Sequence, residues 1–452
     1  MLYSPSDFIR ILLEQSKVAG FADAEILCGG GQSTELQIRK GEISQYESSA
    51  TQGLSFRGVY GGQMGYAYTE ILDDEALEFL LREAAENAGI LDTEDYETIS
   101  EGEKEYREVS SYCPELDELT FEDLSAMGLS LERKILAADE RITAVDHCIV
   151  SYGGGSEMIE NTKGMSLRDK SNMLFLYADT RCSQDGIVKT AGDYWVGRDI
   201  RLLDIDALAE RITGKALAKL GAAPVKSGKY KVLLDGEVAA DLLGAFSSIF
   251  SADMIQKGFS LLAGRMEERL AADIITIRDD AVVEGSITAT AFDSEGTATQ
   301  NRVLVENGIL RGILHNTKTA RKEGCSSTGN GFRGYKGSLS VGSKNFYIAA
   351  GDCSFDALLA ELGDGLYITE VSGLHSGSNS ISGDFSVSAE GFVVENGKIG
   401  RSVDQITLAD NFYELLQKIS HLGCDIHFNP PSGAGSLGSP ALLIQESAIA
   451  GE

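Results

Sequence analysis

Apolar residues recur along the start of the chain in two rhythms. Ser4-Pro5 followed by Phe8, Ile9, Leu12 and Leu13 gives a capping residue, a first-turn proline and one apolar face, which predicts an opening helix. From Ser33 to Glu47 and from Thr51 to Glu70 the rhythm becomes every second residue, around Lys40-Gly41 and Gly61-Gly62. That alternation predicts an antiparallel meander. Helical spacing returns over 73–88, and the acidic stretch from Leu91 to Leu116 has little period, so a mobile connection or an irregular sheet edge is expected there. A helix from Phe121 to about Ala138, glycine-punctuated strands to about Ile200 and an amphipathic helix over 203–220 follow.

GAAPVKSGKY, residues 221–230, makes the best domain boundary. Beyond it come a buried strand, KVLLDG, a helix, GEVAADLLGAFSSIFSA, and then mostly strands and turns. Glu-Asn-Gly occupies a hairpin turn twice, in VLVENGILRG and in FVVENGKI. The expected fold class is α+β throughout. An N-terminal α+β domain covers 1–112, a middle α+β segment packed with it covers 113–222, and a strand-rich C-terminal domain with antiparallel sheets covers 223–452.

Composition narrows the function. With 452 residues, 43% of them apolar, there is material for packed cores. A formal charge of −30 repels phosphate, so direct binding of nucleic acid or of anionic membranes is excluded as an expectation. No apolar run approaches the roughly 20 residues of a membrane span, and no basic then apolar leader opens the chain, which reads as cytoplasmic. Seven cysteines with no CxxC pair argue against a disulfide framework or a zinc ribbon and are read as buried thiols.

Five histidines make each one informative. HLGCDIH spaces His421, Cys424 and His427 three apart, a soft donor set that suits zinc, but a helix running into a strand would scatter the groups. His147 is read as a strand histidine bonded in the core, and His315 as closing a hairpin. GAGSLG (Gly433–Gly438) matches a dinucleotide fingerprint only as a string, since no helix and further strand follow; it also lacks the first glycine of a nucleophile elbow. STGNGFRG and GLHSGSNSISGDFS differ in kind, with several glycines beside amide, hydroxyl, imidazole and carboxylate groups. Asn330, His375, Ser376, Asn379 and Asp384 are the candidate cleft or interface residues, with turn capping the competing role for Asn330, Asn379 and Asp384.

Taken in order, LLDGEVAADLLGAF, AFDSEGTATQNRVLVENGILRGILHN, TGNGFRG, GLHSGSNSISGDFSVSAEGFVVENGKI and GSPALLI resemble the TldD/PmbA family, also called modulators of DNA gyrase, over essentially the whole chain. The resemblance implies a two-domain subunit that dimerises around an enclosed chamber acting on peptides. In the TldD branch a His-Glu-x-x-x-His helix and a later cysteine bind zinc, with the glutamate as general base. Here Gly244, Ala245 and Ile249 stand at those three helix positions, and no cysteine follows Cys424. The chain resembles the PmbA (TldE) branch, which lacks the ligands.

What this implies is a non-metal-binding subunit of a TldD/TldE-type peptidase complex, with no catalytic residue, metal or cofactor of its own. The expected partners are peptides and either a second copy or a zinc-bearing TldD-type homologue. The alternatives are a metallopeptidase on His421, Cys424 and His427, a zinc-free hydrolase on the Ser/His/Asp loop, or a homodimeric peptide binder.

Overall fold

The computed structural model describes residues 2–90, 97–283, 287–431 and 435–452. Helix α1 (Pro5–Val18) opens on Ser4, whose hydroxyl accepts the Asp7 N–H at 3.2 Å, and buries Phe8, Ile9 and Leu12. Strands β1 (Ala24–Arg39), β2 (Glu42–Tyr60) and β3 (Gln63–Thr69) form the meander. Lys40-Gly41 and Gly61-Gly62 take positive φ at all four positions, the mirror-image turn geometry that matches strand twist. Helices α2 (Asp74–Ile90), α3 (Pro114–Asp117) and α4 (Phe121–Ala138) precede β4 (Ile142–Asn161), β5 (Ser166–Gln184) and β6 (Ile187–Gly197), and α5 (Ile205–Ala218) ends this half.

The six strands are one antiparallel sheet, ordered β3-β2-β1-β4-β5-β6. Its join is the β1–β4 ladder, which runs from Glu25 opposite Asn161 to Gln37 opposite Ile149. Helices α1 and α2 bury one core against the β1–β3 half, and α4 and α5 bury another against the β4–β6 half. Residues 97–113 carry no helix or strand, yet they are tied down: Tyr106 donates to the Gly296 carbonyl at 2.7 Å and Ser111 to that of Ala289. The rest of the expected irregular segment, 91–96, lies outside the described residues.

The remaining chain builds two more six-stranded sheets. One is ordered β16-β15-β14-β7-β20-β17 and takes β7 (Gly228–Leu234), β14 (Gly365–Ser372), β15 (Asp384–Glu395), β16 (Lys398–Asn411), β17 (Ile419–Leu422) and β20 (Leu442–Ala450). The other is ordered β10-β9-β8-β13-β19-β18, from β8 (Ile277–Asp280), β9 (Arg302–Glu306), β10 (Ile309–Leu310), β13 (Asn345–Ile348), β18 (His427–Phe428) and β19 (Ser436–Ser439). A short pair, β11 (Gly331–Phe332) and β12 (Ser340–Val341), stands apart. Most pairings are antiparallel; β7–β14 and β13–β19 are parallel. Both Glu-Asn-Gly sites are hairpin turns, with Asn307 and Asn396 at φ 49° and 52°. The end of the chain returns to the domain boundary: Glu452 donates to the Val225 carbonyl at 2.9 Å and accepts from the Ser227 N–H at 3.0 Å.

Helix α6 (Gly236–Ala245) lies between these two sheets, against β14 on one side and β18 and β19 on the other. It is shorter than the pattern predicts. Ser247 Oγ donates to the Gly244 carbonyl at 2.8 Å, the chain tightens into a turn over Ser247–Phe250, and α7 (Ala252–Gln256) sets off afresh. Helices α8 (Thr317–Glu323), α9 (Phe355–Leu362), α10 (Leu374–Gly377) and α11 (Phe412–Lys418) follow.

Other expectations need correction. His147 is on a strand, but it points to solvent and bonds Asp179 at 2.9 Å, since Val145 and Cys148 take the core positions beside a register shift. His315 closes no hairpin: the β9–β10 turn is at Asn307-Gly308, and His315 is buried just before the Asn316 cap of α8. Of the cysteines, 28, 148 and 182 are buried, while Cys325 and Cys424 are exposed in loops.

Candidate functional site

The C-terminal end of α6 is packed shut. Leu437 of β19 lies over Gly244, so that a Cβ there would sit 2.3 Å from its Cδ1. Phe246 stacks on Phe412 at 4.4 Å, Ile249 is 1% exposed, and Ala245 packs against the same core. Among the described residues no three His, Cys, Asp or Glu side chains are placed to hold one ion. HLGCDIH is divided between two sheets, with His421 on β17 and His427 on β18. His421 faces Ser420 Oγ at 3.2 Å, Cys424 meets Asp425, and His427 Nε2 meets the Tyr194 hydroxyl at 3.0 Å. Ser436, Leu437 and Gly438 of GAGSLG belong to β19, whereas Gly433 and Ala434 lie outside the described residues.

His375, Ser376, Asn379 and Asp384 share one exposed loop, which runs through α10 beside α6 and into β15. Gly373 enters it at φ 88°, and a Cβ at Gly377 would strike the Ser386 carbonyl at 2.4 Å. Asn379 Oδ1 accepts from the Ile381 and Ser382 N–H groups at 3.0 and 3.2 Å, and Asp384 accepts from Ser382 Oγ and Asn411 Nδ2, both at 2.9 Å. The Asn411 amide holds the Asp384 carboxyl below its ordinary range, and Ser382 adds to this. Asn330 is elsewhere and buried: it donates to Asp279 at 2.7 Å and to the Gly342 carbonyl at 2.9 Å, and it accepts from Thr328 Oγ1 at 2.6 Å. Asn330 thus has its hydrogen bonds filled by the fold. His375 and Ser376 present side chains to solvent.

A buried ionic joint ties the N-terminal sheet to the C-terminal domain, and the sequence reading did not single it out. Glu25 of β1 accepts from Arg57 of β2 at 2.8 Å and from Arg333, of TGNGFRG, at 2.7 Å. Arg333 also reaches Ser55 Oγ and the Ser294 carbonyl, and Glu295, of FDSEG, lies 3.6 Å from Arg57. Asp293 and Glu295 are both pushed up from the ordinary carboxylate range, chiefly by burial. Asp279 nearby is pushed up to about 6 by burial, against the opposing pull of Asn330. FDSEG and GFRG offered the available signal.

A cavity of about 850 Å³ lies between β5, β6 and α5 on one side and α6, β14 and β15 on the other. Glu237 and Asp241 of α6, Lys215 and Lys219 of α5, Tyr194 of β6 and Tyr367 of β14 line it. Asp241 accepts from Asn429 Nδ2 at 2.6 Å; burial and the Glu237 charge push its carboxyl up to about 6. The sequence held one hint, two acids a turn apart on an otherwise apolar helix.

Three family models match in order: PmbA/TldA metallopeptidase domain 1 over residues 24–88, the central domain over 114–220 and the C-terminal domain over 227–451. The chain belongs to the PmbA/TldA family. It is 26% identical to metalloprotease PmbA of Escherichia coli O157:H7, covering 95% of this chain and 92% of that one. Its fold is similar to that of a candidate modulator of a DNA gyrase from Thermotoga maritima MSB8, with 30% identity, TM-score 0.91 and 99% and 100% of the two chains covered. TldE from Thermococcus kodakarensis has the same fold at 24% identity, TM-score 0.90 and 98% and 100% coverage.

The metallopeptidase name implies a metal, and this PmbA/TldA chain does not fit one at the helix position the resemblance points to. Glycine, alanine and isoleucine offer no lone pair there, and Leu437 fills the space over Gly244.

Proposed function

We propose that this chain is a non-catalytic subunit of a TldD/TldE-type peptidase, pairing in the cytoplasm with a homologue that carries the metal helix and acting on unfolded or small peptides. The observation that carries the reading is the packed end of α6, where Leu437 covers Gly244 and Ile249 is core. Amide hydrolysis at neutral pH needs an activated water or nucleophile, and Ala245 cannot take a proton from one. A subunit without a metal still supplies walls. An enclosed chamber that holds an extended peptide by strand addition draws its affinity from backbone hydrogen bonds, with little sequence preference. The exposed loop of His375, Ser376, Asn379 and Asp384 beside α6 is assigned to the subunit contact or the chamber wall. Cysteines that are all free fit a reducing compartment.

The test is cleavage of unfolded peptides by this chain, by a metal-bearing homologue, and by the two together, with a chelator control and gel filtration of the mixture. The expected result is no cleavage by the chain alone, a co-eluting complex, and faster, chelator-sensitive cleavage in the mixture. Chelator-resistant cleavage by the chain alone would overturn the reading in favour of a metal-free hydrolase. No complex and no gain would leave a homodimeric binder.

A further inference from the structure

The cavity between the two halves of the molecule has no part in that reading. Its volume of about 850 Å³ falls in the usual range of small-molecule sites, and both halves of the chain contribute walls. The charges on those walls are unevenly matched. Lys219 is held between Glu370 at 2.5 Å and Glu390 at 2.9 Å, and Lys215 between Asp193 at 3.1 Å and Glu237 at 3.7 Å. Lys189 pairs with Asp404 behind the wall. Every lysine of the lining is thus already neutralised, and an incoming anion would have to break one of these bridges.

The carboxylates are not all matched. Asp235 caps α6 and takes the Tyr367 hydroxyl at 2.5 Å, so its oxygens are occupied. Among the described residues Asp241 has only the amide of Asn429, and it stands one turn from Glu237 on the same face of α6, where two like charges oppose each other. Oδ1 of Asn429 is buried and accepts no hydrogen bond among the described residues, so this corner is short of donors, and Lys215 is shared between Glu237 and Asp193 and leaves Asp241 unmatched. Among the small and aliphatic residues of the lining stand four aromatic rings, Tyr177, Tyr194, Tyr367 and Phe392, the last two stacked at 6.3 Å. Aromatic faces beside carboxylates attract ammonium and guanidinium groups, and neither an apolar ligand nor an anion would answer the Glu237–Asp241 repulsion.

We propose that this cavity binds an organic cation carrying alkylammonium groups, with Glu237 and Asp241 as its counter-charges and the tyrosine rings as its walls. Two sources share that chemistry, a free linear polyamine and the lysine side chain of a peptide. A bound cation also explains why α6 keeps two acids a turn apart in the half-buried first turns of an apolar helix.

Calorimetric titration of the intact protein with spermidine, with the peptide Gly-Lys-Gly and with glutarate separates the cases. At least one amine is expected to bind and glutarate not to. Spermidine binding alone assigns the site to a free polyamine, and binding of the lysyl peptide to a peptide side chain. Asp241→Asn and Glu237→Gln, each checked for an unchanged melting temperature, should each weaken that binding about tenfold or more, as expected for loss of a charge-assisted contact. Asp193→Asn, a carboxylate already matched by Arg211 and Lys215, serves as the control and should weaken it less. No amine binding at millimolar concentration, preferential binding of glutarate, or wild-type affinity in Asp241→Asn would each overturn the proposal.

Discussion

The chain has two contrasting joints. Where the N-terminal sheet meets the C-terminal domain, the contact is ionic and buried: Glu25, Arg57, Glu295 and Arg333 are each 3% exposed or less. Where α6 ends between its two sheets, the contact is apolar: Gly244 under Leu437, Phe246 on Phe412 and Ile249 in the core. The first is specific and fragile, because removing one partner strands a charge that water cannot reach. The second tolerates exchange among side chains of similar volume. The helix position that the resemblance links to metal ligands is packing in this fold and open to similar-sized side chains, whereas the residues of FDSEG and GFRG have little freedom.

The largest expected effect lies at the ionic joint. Arg333→Ala leaves Glu25 with Arg57 alone and should cost about 3–5 kcal/mol in urea unfolding. A loss below about 1 kcal/mol would mean that solvent enters the joint on substitution. Next comes a dependence on pH. Asp279 is raised from its unfolded value of 3.8 to about 6, so the folded protein holds an extra proton between those values. Stability from this group is therefore present below about pH 4 and lost as the pH rises through about 6. Relative to Asp279→Asn, the native protein should lose up to about 2–3 kcal/mol across that window; parallel pH profiles for the two proteins would count against the assignment.

At the apolar joint, Gly244→Val should cost about 1–3 kcal/mol from overpacking on Leu437. Leu437→Ala in the same chain should recover much of that cost, and a double-mutant cycle with no coupling would show that the two residues do not share the space. The smallest effect belongs to the exposed loop. Asn379→Ala removes the acceptor for two backbone N–H groups in solvent and should cost about 0.5 kcal/mol in melting experiments.

Local structure was legible where a few adjacent residues decide it. Ser4-Pro5, Lys40-Gly41, Gly61-Gly62 and the two Asn-Gly turns all behave as their chemistry demands. Contacts across the chain were not legible: Arg333 meets Glu25 from 308 residues away, and nothing local marks either as a partner. The cavity gathers its walls from strands and helices of both halves, so its charge balance emerges only when they assemble. The α6 pattern misled because apolar spacing continues through Phe246 and Phe250 while Ser247 bonds back to the helix.

The hydrogen bonds that bring Glu452 back to Val225 and Ser227 bear on how the C-terminal domain could be rewired. Its first and last strands, β7 and β20, are neighbours in one sheet, so the domain enters and leaves the molecule at a single point. A short linker from 452 to 227 with new ends cut in the exposed Asn396-Gly397 turn would make a circularly permuted C-terminal domain of unchanged sheet order, to be paired with residues 1–226 as a second chain so that Glu25 and Arg57 still meet Arg333 and Glu295. A reporter domain spliced at that doorway would likewise hang from the molecule without crossing either joint.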